Sequence, residues 1–310
     1  HLCVCRSPRE DQSQQCEVNH MEQENKITIK EESYMASVWK EFSKNRSAVA
    51  GCVILILIIL LAVGADVIAP YDPYEQNYAD ALQWPSMKHL FGTDEFGRDI
   101  FSRVLYGARI SLMVGVISVA ISCVCGCILG ASAGYFGNFY DACVMRCMDV
   151  LLAIPSLLLN ISIVSALGSG VFNMMLAVGI SNIPRYCRIM RASVLQIKSI
   201  EYVDASRTAG GSSRWIITRH IIPNCLAPII VQATLSVGSA IIACAGLSFI
   251  GVGISAPTPE WGAMLSNGRD FLRGYSYITL FPGLAIMITV LALNLMGDGL
   301  RDAFDPKLRR

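Results

Sequence analysis

The chain has 310 residues, 53% of them hydrophobic and only 16% charged, with a mean hydropathy of +0.48, which excludes an ordinary soluble domain and points to an integral membrane protein. A net charge of +1 leaves no global attraction to nucleic acid, so charge carries meaning only through its placement. Several of the 12 cysteines, among them Cys52, Cys123, Cys125, Cys127, Cys143 and Cys244, sit in or beside apolar runs, where a thiol behaves as a small hydrophobe, and no disulfide framework is read from them.

In chain order, residues 1–20 differ from the rest. Cys3, Cys5, Cys16 and His20 lie there among polar residues, but their spacing matches none of the paired patterns of a zinc site. Met21 is the expected natural start, and the stretch before it a tail or upstream read-through. No cleavable signal peptide is read before the first apolar run. Residues 1–47 are expected to form an N-terminal cytoplasmic segment, and residues 48–310 one membrane domain.

A bilayer core requires about 20 apolar residues in a helix, and six runs meet or approach that length: Ala48–Ala69, Ser111–Tyr135, Asp149–Leu167, Val171–Tyr186, Leu226–Ile254 and Tyr277–Met296. The second carries Gly115, Gly126, Gly130 and Gly134, which allow a neighbouring helix to approach closely. The third contains Pro155, and the fourth is short and weakened by Asn182 and Pro184. The expected fold is all-α, with six transmembrane helices. Lys and Arg gather in the segments that are inside if the N-terminus is cytoplasmic, including Lys44, Arg146, Arg185, Arg188, Arg191, Lys198, Arg207, Arg214 and Arg301. Both termini are therefore expected inside.

No G-x-x-x-x-G-K-[ST] phosphate loop occurs, so the chain cannot hydrolyse ATP as a P-loop motor. The four histidines, His1, His20, His89 and His220, suggest neither a catalytic triad nor an H-E-x-x-H metal site. No enzyme activity, metal or cofactor is expected. A secondary transporter would place an acid or histidine inside a span; Asp141 and Asp149 lie only at the inner boundary of the third. Polar residues within the spans, among them Asn160, Ser162, Asn173, Ser181, Asn182, Gln232, Thr234 and Ser236, read either as pathway lining or, for any single one, as interhelical hydrogen-bonding groups.

The long polar segment between the fourth and fifth runs reads as a helix over Ala192–Thr208, placing Val194, Ile197, Glu201 and Ala205 on one face. A glycine turn at Gly210-Gly211 follows, then a second helix capped by Ser212-Ser213 and stopped at Pro223. Residues 192–223 thus read as a helix-turn-helix bulging into the cytoplasm, either a solvated loop or a docking element.

Here the sequence resembles the signature of binding-protein-dependent ABC permeases, E-A-A, three residues, G, nine residues, I-x-L-P. It stands as Asp204-Ala205-Ser206, Gly210, then His220-Ile221-Ile222-Pro223, with Asp204, Ser206, His220 and Ile222 as departures. FGTDEFGRDIFSRVLYGARISL from Phe91 resembles the segment before the second span of dipeptide, oligopeptide and nickel permeases. PTPEWGAMLSNG from Pro257 and FPGLAIMITVLALNLMGDGLRDAFDPKL from Phe281 are similar to the same family's last outside loop and C-terminus. Among subfamilies, the runs PNCLAPIIVQATL from Pro223 and NLMGDGLRDAFDPKL from Asn294 most resemble the C-type dipeptide permease subunit.

That resemblance implies a MetI-like fold in a bacterial inner membrane, a heterodimer with a homologous permease, two ATPase subunits inside and a solute-binding protein outside that delivers peptide. It also implies a coupling role for Asp204, Ala205, Ser206, Gly210, Gly211, Ile222 and Pro223. For Gly92, Thr93, Asp94, Gly97, Arg98, Asp99 and Arg103 two readings stand: an interfacial salt-bridge cluster with turn glycines, each pair worth little, or contact with the binding protein. Trp261 reads as an interfacial anchor. Gly210→Val and Asp204→Lys are expected to break coupling, and Lys198→Gln, nearer the membrane, to matter less. Nickel or oligopeptide import and a non-transporting membrane anchor are the alternatives.

Overall fold

The computed structural model describes residues 34–254 and 256–304; the first twenty residues, with Cys3, Cys5, Cys16 and His20, lie outside them. The chain divides after Lys40, within helix α1 (Tyr34–Lys44), and everything below concerns the second unit, Glu41–Arg310. Among the described residues the structure is helical, with no strand and one isolated bridge, Thr93–Asp99.

Helix α2 (Arg46–Val63) starts where the Asn45 side chain accepts from the Ala48 amide at 3.3 Å, satisfying one of the donors that a helix leaves open at its N-terminus. It ends earlier than Ala69 because Gly64 interrupts it, leaving a single turn, Ala65–Ile68, before Pro70. Helix α3 (Ile100–Phe136, 37 residues) is capped by Asp99, which accepts from Ser102 N at 2.8 Å, and closes at Gly137, φ +68°. It begins well before Ser111, since Asp99 supplies a start signal outside the apolar run. At 1.5 Å per residue it is about 55 Å long, well beyond the hydrocarbon thickness.

Helices α4 (Asn138–Ala153) and α5 (Ser156–Leu167) are bent 91° apart. Pro155 has no amide hydrogen and forces Ile154 into extended backbone, φ −90°, ψ 128°, so Asp149–Leu167 is a broken element. Helix α6 (Val171–Lys198) runs on past Tyr186 and carries Arg185, Arg188 and Arg191. It packs along α3 through glycines. A Cβ on Gly126 would meet the Tyr186 Cβ at 2.5 Å, one on Gly134 the Val194 Cβ at 3.0 Å, and one on Gly130 would run into the Cys187 carbonyl. Only hydrogen in place of a side chain permits this approach.

After the short helix α7 (Glu201–Thr208) comes α8 (Ser213–Phe249, 37 residues), then α9 (Trp261–Gly268) and α10 (Tyr277–Phe304). Helices α2, α3, α8 and α10 are long and apolar enough to cross a membrane, and α4–α5 makes a fifth if the bent pair is one span. Asn173, Asn182, Pro184 and the arginines keep α6 out of that set.

Most of the span hydroxyls and amides are satisfied within their own helices. Ser162 donates to Leu158 O (2.8 Å), Ser181 and Asn182 to Val178 O (3.1 and 2.9 Å), Thr234 to Ile230 O (3.0 Å), and Gln232 to Ser236 Oγ (2.9 Å). The expected interhelical role is not what these residues perform; the nearest carbonyl, one turn back, outcompetes a neighbouring helix. Asp141 and Asp149 pair with Arg191 (2.5 Å) and Arg188 (2.6 Å), tying α4 to α6.

Candidate functional site: a helical hairpin and a buried-charge cap

The hairpin between α6 and α8 is built differently from a plain helix pair. Ser199 and Ile200 leave helical geometry, with Ile200 extended at φ −84°, ψ 138°. This interrupts the expected Ala192–Thr208 helix and takes Glu201 and Ala205 off the face of Val194. The break turns Val203 into a buried cluster with Val194, Ile216, Ile221 and Cys225, and the burial gained offsets one lost turn of helix.

The turn is a Schellman motif: Gly211 N donates to Ser206 O (3.0 Å) and Gly210 N to Arg207 O (3.1 Å), with Gly210 at φ +83°. Ser212 then caps the next helix by accepting from Trp215 N. The two glycines differ. A Cβ on Gly210 meets nothing within 4 Å, whereas one on Gly211 would strike Ser206 O at 2.8 Å. Gly211 serves the hairpin's own closure, and Gly210 leaves an open surface.

Pro223 does not stop the second helix. It sits in the first turn of the long apolar part of α8, and the turn before it, Ile217–Ile221, widens to a π-turn in which Ile222 N donates to Ile217 O. Proline cannot supply the amide that an α-turn would use there, and the wider turn carries the helix past it. Asp204, Ala205, Gly210 and Pro223 are exposed, while Ser206, Gly211 and Ile222 are half-buried. Next to them are two residues that the signature does not contain. Exposed Tyr202 and Trp215 bracket the signature's His220, with ring centroids 6.1 and 4.6 Å away. Their apolar character on a polar loop is the signal that could have found them.

At the other end of α3, residues 70–99 fold over the helix start. Gly92 (φ +78°) and Gly97 (φ +74°) press against the carbonyls of Gln83 and Asn77. Asp94 is the hub: its Oδ1 accepts from Phe96 N and Arg98 N, both 2.9 Å, and its Oδ2 from Arg98 Nε at 2.6 Å, with Arg103 Nε 3.8 Å away. Arg103 also donates to Pro73 O (2.8 Å) and Pro257 O (3.3 Å). Asp99 accepts from Ser102 Oγ at 2.8 Å and pairs with His89 Nδ1 at 2.9 Å. Thr93 receives the Tyr277 hydroxyl on its carbonyl at 3.1 Å.

Thr93, Asp94, Arg98, Asp99 and Arg103 are all 5% exposed or less. The pairs are not the weak surface pairs expected, because buried charges cannot be separated without stranding one of them. Glu95, beside Arg98 at 3.7 Å, is held above the ordinary carboxylate range chiefly by burial.

Trp261 is not an interfacial anchor. It is 2% exposed, donates to Val104 O at 3.0 Å and lies against Gly107. Glu260, missed in the sequence, caps α9 by accepting from Gly262 N (2.9 Å) and Ala263 N (2.8 Å), and burial raises its pKa above the ordinary 4.5. A carboxyl that holds its proton more tightly when folded contributes stability that is complete below the unfolded pKa and lost as pH rises through the folded one. The melting temperature in detergent is therefore expected to fall as pH rises from about 4.5, with a shallower slope in Glu260→Gln. An identical slope in both would refute the assignment.

A third feature, a groove of about 460 Å³, opens between α6, α8 and α10 and is lined by Ile189, Pro228, Val231, Gln232, Arg301 and Phe304. It joins an apolar wall to an amide and a guanidinium.

The hairpin and the long helices around it lie in residues 126–310, which match the binding-protein-dependent transport system inner membrane component. The chain belongs to that family. Residues 33–85 match the N-terminal transmembrane domain of oligopeptide transport permease C. The chain is 46% identical over 283 residues, 89% of itself and 93% of the relative, to the di/tripeptide transport system permease protein DppC of Pseudomonas aeruginosa. It is 45% identical over 284 residues to the dipeptide transport system permease protein DppC of Alkalihalophilus pseudofirmus, covering 90% of itself and 93% of that protein. It is also 45% identical to the glutathione transport system permease protein GsiD of Escherichia coli, over 87% of itself and 90% of that protein. The crystal structure of an amino acid ABC transporter with histidines overlays with a TM-score of 0.50 at 14% identity, over 65% of this chain and 94% of the other, a likeness of fold alone.

Proposed function

We propose that the chain is a permease subunit of an ATP-driven peptide importer, with dipeptides as its principal cargo. The observation that carries this is the hairpin: its left-handed Gly210 is exposed and free of neighbours, at the spacing of the family's docking signature, in a chain whose relatives are named as dipeptide permeases. The subunit itself is non-catalytic.

In this reading the chain sits in a bacterial inner membrane and pairs with a homologous permease, two ATPase subunits bind the pair inside, and a solute-binding protein delivers peptide outside. Helices α2, α3, α8 and α10, the bent α4–α5 and α6 give six spans, with both termini cytoplasmic. ATP binding closes the motors, moves the hairpin and opens the path outward. A zwitterionic peptide needs a wet, partly polar path, and the groove with Gln232 and Arg301 supplies polar groups at its inner end.

The test is uptake of labelled dipeptide, longer peptide, glutathione and nickel in cells with and without the chain. Dipeptide uptake is expected to require it. Equal dipeptide uptake in both strains overturns the reading, and dependence of nickel alone reassigns the cargo. Orientation is read in the same cells: a cysteine at exposed Asp270 is expected to react with an impermeant thiol reagent added outside, and one at Ser213 to stay silent.

A further inference from the structure

Three helices converge on one residue, through its backbone carbonyl and its ring. Tyr135, in the last turn of α3, is 8% exposed. Lys198, the last residue of α6, donates from Nζ to the Tyr135 carbonyl at 2.5 Å, and the same nitrogen lies 5.6 Å from the ring centroid. Arg207, in the last turn of α7, places its guanidinium carbon 5.8 Å from that ring. The carbonyls in the last turn of a helix have no partner within it, and a cation there also meets the negative end of the helix dipole. An aromatic face attracts cations as well. Below the ring, the apolar cluster of Tyr135, Ala131, Val194, Val203, Ile216 and Ile221 joins α3, α6, α7 and α8 in one packed body.

The other end of α3 is fastened just as firmly, by Asp99 and by Arg103 bonded to Pro73 O and Pro257 O. Between the two ends the helix is unbroken and locked to α6 at Gly126, Gly130 and Gly134. A hairpin held this way cannot rock without taking α3 along.

We infer that Tyr135 is the joint through which the cytoplasmic hairpin moves the membrane helices, with Lys198 and Arg207 as positioning residues that hold it, an inference that rests on the peptide-importer reading. It gives Lys198 more weight than its place near the membrane suggested from sequence. Docking of the ATPase uses the exposed outer end of the hairpin, so loosening this joint separates hydrolysis from transport while leaving assembly intact.

The test uses the whole complex, permease pair, ATPases and binding protein, in proteoliposomes at matched permease abundance, with labelled alanyl-alanine as the probe. In Lys198→Met and Tyr135→Ala the ATPase subunits are expected to copurify as in wild type and basal hydrolysis to persist. Stimulation of hydrolysis by peptide-loaded binding protein, and uptake, are expected to fall about tenfold, within the range by which mutations along coupling paths alter linkage. Lys198→Arg and Tyr135→Phe, which keep the cation and the ring, are expected to restore both. Wild-type stimulation and uptake in Lys198→Met overturn the joint, as does loss of ATPase copurification, which would make Lys198 a docking or folding residue. Absence of alanyl-alanine uptake by the wild-type complex would instead strike the peptide-importer reading.

Discussion

Gly210→Val is expected to insert into the membrane at normal abundance and yet to lose ATPase copurification and peptide uptake. The residue lies at φ +83° and a Cβ there touches nothing within 4 Å. The cost inside the permease is therefore backbone strain alone, about 1–3 kcal/mol for a side chain held in that region, confined to a turn outside the membrane helices. The larger cost falls on a partner surface that closes over the turn. Gly211→Ala is the instructive contrast: its Cβ would strike Ser206 O at 2.8 Å, so it is expected to disturb the hairpin before any partner arrives. Asp204→Lys is expected to weaken assembly as well. It removes an exposed acid from the first turn of α7 and its 3.3 Å pair with Arg207, a small loss in the free permease, and reverses charge where a partner would dock. Normal ATPase copurification and uptake in both Gly210→Val and Asp204→Lys would end the assignment of this hairpin as the coupling element.

Arg98→Met is expected to be the most destabilising single change in the outer cap. Arg98 is 2% exposed, bonds Asp94 at 2.6 Å and stands 3.7 Å from Glu95. Its removal leaves buried Asp94 with Arg103 Nε, 3.8 Å away, as its remaining cation, and breaking one side of a buried ion pair costs about 3–5 kcal/mol. Thermal unfolding in detergent is the measurement, with a large drop in melting temperature and abundance as the expected result. Arg98→Lys is expected to recover only part, since an ammonium cannot reproduce the guanidinium's spread of donors. Lys88→Met removes an exposed partner of Asp80 at 2.7 Å and is expected to leave the melting temperature unchanged. If Arg98→Met melts like wild type, the buried cluster does not hold the cap.

These two sites show what a sequence carries and what it leaves out. The left-handed glycine at Gly210, the Ser212 cap and the apolar runs are local facts, decided by backbone freedom and hydrogen bonding within a few residues, and they are legible before any folding is known. The break at Ser199–Ile200 is not. No proline or glycine marks it, and its cause is the burial of Val203 against residues far along the chain. Pro223 misleads in the other direction, because a proline that would end an isolated helix is absorbed by a π-turn when a long apolar helix follows. The interleaved charges from Asp94 to Arg103 read alike whether they are solvated or enclosed, and only the folding of residues 70–99 over the start of α3 makes them a buried network. The six expected spans fare unevenly for the same reason: α2, α3, α8 and α10 announce themselves by composition, whereas α6 is polar enough to need its neighbours.

The distribution of thiols has a practical side. The described cysteines lie in α2, α3, α4, α6 and α8, at Cys52, Cys123, Cys125, Cys127, Cys143, Cys147, Cys187, Cys225 and Cys244, and none falls in the cap of residues 64–99 or in residues 250–276. In the proposed orientation, an impermeant maleimide added from the cap side meets no native thiol in these two stretches. Single reporters can be placed along that face in the otherwise native chain, one at a time, and their labelling rates compared with and without nucleotide to follow the opening of the path in real time.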